Sequence, residues 1–370
     1  MPKVRQTQLE IDLGALAHNY RYLRSKISSE VKFMSVIKAY AYGNDSVEIA
    51  RKLEELGTDY FAVAYTNEGE RLRKAGITKP ILILHPQPVN FQTLIDNCLE
   101  PNLYSEKVLS EFIEIAEKLQ LKDYPVHLKF NTGMNRLGFT GKNFHKICEK
   151  LEGTKAVKVA SAFSHLAASE DWKEREFTLH QINLFQKFAE DLLDQLDYRP
   201  IFHICNTSAV FNYPEAGFDM VRSGLGLYGF ANDPAINANL KPIGTLKTII
   251  SQIQELEEGE TVGYNRAFEA TKPSRIATLP LGHADGINRI FGNKKAGVII
   301  NGQYAPIIGN VCMDIIMVDV SDIDCKEGDE VIVFGGNQPA NVFAQAGGTI
   351  TYELITGIAQ RVKRVIIPES

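Results

Sequence analysis

Short apolar runs and helical patterns alternate through the first 240 residues. The runs are "KFMSVIKA", "YFAVAY", "PILILH", "LEPNLYS", "PVHLKFNTG", "KVASAFSHL", "FHICNTSA" and "DMVRSGLGLYG". Between them lie amphipathic segments such as "SVEIARKLEELG", "NEGERLRKAG", "EKVLSEFIEIAEKLQ" and "REFTLHQINLFQKFAEDLLDQL". The chain opens on another, "IDLGALAHNYRYLRSKI", whose Leu13, Leu16, Tyr20 and Leu23 share one helical face. Strand followed by helix, repeated, predicts a parallel sheet with crossover helices. Eight repeats predict that the sheet closes into a (β/α)8 TIM-type barrel.

Past "NDPAINANLKP" the texture changes. "LKTIISQIQELEEGETVGY", "RIATLPLGH", "AGVIINGQYAPII", "CMDIIMVDV" and "DEVIVFG" are strand-like and joined by turns, and the closing "YELITGIAQRVKRVI" returns to a helical pattern. The expected organisation is a barrel over residues 1–240 and a mainly β domain over 241–370.

Composition narrows the function classes. At 370 residues the chain exceeds one ordinary core, in keeping with two domains. A net charge of -5 gives no reason to expect nucleic acid or a membrane surface. The opening "MPKVRQTQLE" is polar and no apolar run is long enough to span a bilayer, so a cytoplasmic protein is expected. The five cysteines are scattered, without CxxC or a His/Cys cluster, so neither disulfides nor a metal is expected.

Reactive side chains sit where the predicted strands finish, the end of a barrel that carries catalysis. The first run ends on Lys38 and the third on His85. The fifth carries Lys129 and leads to Asn131 and Arg136. The sixth ends on His165, the seventh on Asn206, Thr207 and Ser208, and the eighth holds Arg222. Any one of these is an ordinary strand-end residue; barrel geometry gathers them at one mouth. "GLGLYG", Gly224 to Gly229, matches the dinucleotide fingerprint, but no convincing helix follows it and it closes a barrel rather than opening a chain. Loops after strands seven and eight of such barrels hold phosphate. "NTS" offers hydroxyls there and "SGLG" close backbone N–H groups. A lysine and a phosphate site in one mouth predict pyridoxal phosphate, with the strand holding the amine rigid beside the aldehyde.

Nine segments now make the chain recognisable. "VIKAYAYG", "KFNTGMNRLGF", "FSHLA", "HICNTSA", "VRSGLGLYG", "VGYNRAF", "GHADG", "GNVCMD" and "TYELITGIAQRV" follow one another in family order across both domains. The chain resembles the alanine racemases, fold-type III pyridoxal-phosphate enzymes. The resemblance implies that Lys38 binds the cofactor covalently and is one of two catalytic bases, with Tyr264 the other. It implies that Arg222 faces the pyridine nitrogen and that Tyr42, Thr207, Tyr352 and the backbone at Gly224 and Leu225 hold the phosphate, with Asn206 beside them. Arg136 and the backbone at Met313 would take the substrate, flanked by Cys312 and Asp314. Lys129 would be carbamylated and paired with Arg136, His165 would link Tyr264 to Arg222, and His203 would support Arg222. A homodimer with the active site shared across its interface is also implied, as is D-alanine production for peptidoglycan.

Two groups on opposite faces of Cα suit racemisation, because a single fixed base returns the proton to the face it came from. Arginine is a poor proton donor to a ring nitrogen, which limits side reactions and separates a racemase from a barrel-type decarboxylase, where an acid is usual. Three positions depart from the family pattern: Tyr40 for asparagine, His283 for a tyrosine lining the substrate entrance, and Thr207 for serine. His283 leaves open a broader racemase acting on serine, lysine or ornithine. A B6 carrier protein is disfavoured, since such proteins generally lack a second domain.

Overall fold

In the computed structural model, residues 4–369 are described. The first three residues of the polar opening segment lie outside them. Gln8–Asp12 is a strand, β1, where a helix was expected to begin at Ile11. The helix begins instead at Leu13, with Asp12 as its cap: Oδ1 accepts the N–H of Ala15 at 2.8 Å. Leu9 and Ile11 are buried in the core, and Glu10 between them is buried too, paired with Lys247 at 3.1 Å.

Eight parallel strands follow: β2 (Lys32–Val36), β3 (Tyr60–Val63), β4 (Ile81–Ile83), β5 (Glu100–Leu103), β6 (Tyr124–Lys129), β7 (Val157–Phe163), β8 (Ile201–His203) and β9 (Met220–Ser223). Their order is β8-β7-β6-β5-β4-β3-β2-β9. The seam between β8 and β9 is bridged by two backbone bonds, Asp219 N–H to Phe202 O at 3.0 Å and Arg222 N–H to Cys205 O at 3.1 Å. The eight runs read from the sequence are therefore the eight barrel strands. "GLGLYG" forms a four-residue 3-10 turn over Leu225–Tyr228, not the opening of a long helix.

The remaining strands are β10 (Gly244–Ile249), β11 (Gln252–Leu256), β12 (Thr261–Val262), β13 (Phe268–Glu269), β14 (Ser274–Leu279), β15 (Gly297–Ile300), β16 (Gln303–Ile308), β17 (Ile316–Asp319), β18 (Glu330–Phe334) and β19 (Lys363–Ile367). Nine strands form one sheet, ordered β11-β14-β17-β16-β15-β18-β10-β1-β19. Two expectations are corrected here. Residues 8–12, counted with the barrel, pair antiparallel with β10 and parallel with β19 and so belong to the second sheet. The helix expected through the closing segment stops at Thr356, and the β-branched "KRVII" is strand β19. The sheet thus takes a strand from each end of the chain and packs against the barrel through Leu9, Tyr42, Tyr228, Phe334 and Ile355, all buried.

Candidate active site

β2 delivers Lys38 to the mouth of the barrel, and the five residues after it form an unusual turn. Ala39, Tyr40, Ala41 and Tyr42 all have φ between +52° and +57°, and Gly43 has φ +84°. This is a left-handed helical turn, which costs an L-residue about 1–2 kcal/mol per position. Neighbouring groups hold it. Glu68 Oε1 accepts the N–H of Ala39 at 2.5 Å, and Ile37 O accepts that of Ala41 at 3.0 Å. Arg364 of β19 donates through Nη2 to Gly43 O at 2.7 Å. Gly43 cannot carry a side chain, since a Cβ there would lie 1.9 Å from Ile355 O. The turn throws Tyr42 back over the mouth, where it stacks on Tyr228 at 4.5 Å between centroids. The Tyr228 hydroxyl in turn donates to Val36 O at 3.0 Å, just ahead of Lys38.

The mouth encloses a cavity of about 620 Å³. Lys38, Tyr42, Lys129, Arg136, His165, Asn206, Thr207, Arg222, Gly224, Leu225 and Tyr352 all line it, so eleven of the residues picked from the sequence meet there. His203 stands behind Arg222, accepting from Nη1 at Nδ1 over 2.6 Å. Sequence inspection missed Met134, Glu170 and Asn232, which also line the cavity, and Glu68, which holds the turn. His85, singled out by its strand end, lines it too and stacks on Tyr104 at 5.5 Å. Tyr40 points away, its ring 5.4 Å from the Arg71 guanidinium carbon, so it does not narrow the site.

Four cationic side chains converge with few acids. Burial, then Arg136, pushes Lys38 down, offset in part by Glu68. Burial, then Arg222, Arg136 and Lys38, pushes Lys129 down to about 7. Burial lowers Arg222 to about 10 and holds His165 and His203 well below the usual histidine range. Such a mouth attracts anions: phosphate and carboxylate are its natural occupants. At one end of the cavity Thr207 Oγ1 lies 3.0 Å from Ser223 Oγ, and a Cβ on Gly224 would sit 2.3 Å from the Tyr42 hydroxyl oxygen. The missing side chain leaves backbone and phenol facing one small space.

Lys129 gives a pH prediction. Its folded-state pKa lies below the unfolded value, so the unfolded chain binds more protons between pH 7 and about 10.5, and stability rises with pH through that window. Replacing the amine removes the penalty. In the cofactor-free chain Lys129→Met is expected to be the more stable at pH 6, by on the order of 4 kcal/mol, with the difference gone near pH 10.5. Thermal melts of both chains across pH check it.

The remaining residues lie elsewhere on the same chain. Tyr264 sits in the loop between β12 and β13, 71% exposed, with Asn265 and Arg266 at positive φ beside it. It lines a second cavity of about 670 Å³ together with Cys312, Met313 and Asp314. Met313 is 59% exposed. Within one chain, then, Tyr264 and Met313 share a face of the β domain and are not among the residues lining the Lys38 cavity. Burial pushes the Cys312 thiol up, which does not make it a nucleophile. Asp314 pairs with Arg361 at 2.7 Å. His283 lines a third cavity with Asn288, Arg289 and Glu353, and its backbone N–H donates to Cys312 O at 2.9 Å. Among the described residues, no helix is long and apolar enough to cross a membrane and no His/Cys/Asp/Glu group is suited to a metal.

Two family models cover the chain: alanine racemase, N-terminal domain, over residues 11–232, and alanine racemase, C-terminal domain, over 243–366. The alanine racemase of Clostridium perfringens is 39% identical over 373 residues, covering 98% of this chain and 95% of its own. The solved alanine racemase of Clostridium difficile superposes with a TM-score of 0.92 at 36% identity, over 98% of this chain and 96% of that one. The alanine racemase of Bartonella henselae, solved with covalently bound pyridoxal phosphate, gives 0.86 at 28% identity, over 98% and 100%.

Proposed function

We propose that this chain, which belongs to the alanine racemase family, interconverts L- and D-alanine with pyridoxal phosphate and two proton carriers, Lys38 and Tyr264, supplying D-alanine for peptidoglycan. The observation that carries it is the convergence of Lys38, Lys129, Arg136 and Arg222 on one cavity that also holds a hydroxyl-and-glycine cradle.

The donor set fits the cofactor. Tyr42, Thr207, Tyr352 and the backbone at Gly224 and Leu225 would take the phosphate, and Lys38 would bind the carbonyl carbon. Arg222 would face the ring nitrogen. When bound, pyridoxal phosphate draws electrons from the substrate Cα–H bond and so acidifies it. The chain's residues do the rest. Lys38, pushed down by burial and Arg136, is suited to take a proton at Nζ and return it. Arg136 would hold the substrate carboxylate. Lys129, at about 7, is partly the neutral amine that adds carbon dioxide, releasing one proton and leaving a carbamate anion to pair with Arg136. Tyr264 supplies the second proton carrier from a partner chain. An exposed tyrosine and methionine on one face, and a cationic cavity lined by other residues, suit a homodimer whose sites are completed in trans.

A chirality-resolved assay across amino acids, with pyridoxal phosphate added, tests the function. Alanine is expected to racemise fastest, without carbon dioxide release. Serine, lysine or ornithine outpacing it would make the enzyme a broader racemase, the case for which rests on His283. Decarboxylation without change of chirality would replace the reaction altogether.

A further inference from the structure

A row of buried polar side chains runs down the barrel from Arg222, and the roles above use only its first two members. Arg222 Nη1 meets His203 Nδ1 at 2.6 Å, and His203 Nε2 lies 2.9 Å from Ser161 Oγ. Ser161 Oγ lies 2.5 Å from His127 Nδ1, and His127 Nε2 lies 2.7 Å from Glu100 Oε2. The five residues come from β9, β8, β7, β6 and β5, successive around the barrel. All are buried. Barrel interiors are ordinarily filled with branched apolar side chains, and a buried polar group is costly unless satisfied.

Chemistry fixes the direction of every bond. A guanidinium only donates. His203 Nδ1 must therefore accept, so Nε2 carries the proton and donates to Ser161. Ser161 Oγ meets no other acceptor among the described residues, so its hydroxyl donates to His127 Nδ1, and His127 Nε2–H donates to Glu100. Each bond of the series then runs one way, from Arg222 to Glu100 as the final acceptor.

We propose that Glu100, acting through His127, Ser161 and His203, is a positioning residue that fixes the orientation in which Arg222 faces the cofactor ring. This rests on the assignment of Arg222 to the ring nitrogen. The surroundings reinforce it. Phe163 stacks on the His203 ring at 4.9 Å and 7°. Burial and Arg222 keep His203 neutral. Burial and the Glu100 carboxylate raise the Tyr60 phenol, so it stays a donor beside that carboxylate. Arg222 Nη2 donates to Ser164 O at 2.7 Å and Ile204 O at 3.0 Å. Both terminal nitrogens are therefore committed, and Nε–H is the donor with no acceptor among the described residues.

An amide at position 100 both donates and accepts, so Glu100→Gln admits the reversed series. There His203 Nδ1–H opposes an arginine N–H. Ser161→Ala removes one oxygen from the middle and serves if the first variant fails to fold. Histidine 15N spectra of the holoenzyme are expected to show His203 as a single Nε2–H tautomer. In Glu100→Gln His203 is expected to populate both tautomers; in Ser161→Ala, where Arg222 still donates to Nδ1, the Nε2–H loses its acceptor and its 15N shift should move. The cofactor dissociation constant should rise about tenfold, equivalent to one hydrogen bond of about 1.4 kcal/mol. Unchanged His203 15N shifts together with unchanged cofactor affinity in the folded variants overturn the proposal. Arg222→Lys is the control. If it weakens the cofactor while the relay variants do not, only the relay fails; if it leaves affinity unchanged, the ring assignment falls and the relay with it.

Discussion

Lys38→Ala is expected to lower racemisation at least about a thousandfold and to leave a chain from which the cofactor separates on gel filtration. A positioned general acid–base contributes roughly 10²–10⁴-fold, and this amine is also the proposed covalent anchor. The site around it argues against simple unfolding as the cause. Lys38 lines a cavity, and its removal relieves a cluster that already includes Arg136 and Lys129. The left-handed turn is held by backbone and by Glu68, Arg364 and Tyr228, none of which bonds the Lys38 side chain. The variant should therefore melt no lower than the parent when both are cofactor-free. Lys38→Arg separates charge from chemistry: it keeps the cation but cannot be deprotonated near neutral pH, and should be as inactive. A chirality-resolved assay and absorbance after gel filtration read both outcomes. Retained covalent cofactor would move the anchor to Lys129, the other lysine on the cavity.

What could be read from the chain beforehand follows from how local each signal is. Lys38, Lys129, His165, Thr207 and Arg222 each end or close an apolar run, so strand periodicity alone placed them at one mouth, where they meet. The proposed partnership of Lys38 with Tyr264 has no such local sign; only resemblance to a family linked them. β1 was hidden for a related reason. Its partners Lys247 and Lys363 lie far along the chain from Gln8, and five residues of alternating pattern merge into the helix that follows. The turn after Lys38 was illegible because Ala-Tyr-Ala-Tyr carries no residue type that favours positive φ; tertiary contacts impose it. The buried relay did leave a mark. His127 and Ser161 interrupt "PVHLKF" and "KVASAF", and a polar residue within an apolar barrel strand needs a partner.

Tyr264→Phe is expected to keep the cofactor and the fold while slowing removal of the α-proton from one enantiomer of alanine by roughly 10²–10⁴-fold, and from the other far less. The phenol lies on an exposed loop of the β domain, so losing one oxygen there removes no packing. Asymmetry is the signature of two carriers on opposite faces of one carbon. Equal slowing of both enantiomers would return Tyr264 to a bystander. The location of the residue yields a sharper form of the same test. If Lys38 of one chain works with Tyr264 of its partner, neither Lys38→Ala nor Tyr264→Phe alone is active, yet a mixed dimer of the two contains one site in which both residues are intact. After unfolding and refolding together in equal amounts, half of the dimers are mixed and each has one working site of two. About a quarter of the parental activity should return. No recovery from chains that demonstrably exchange would place lysine and tyrosine on the same chain, and the shared site, with the two-face chemistry built on it, would have to be abandoned.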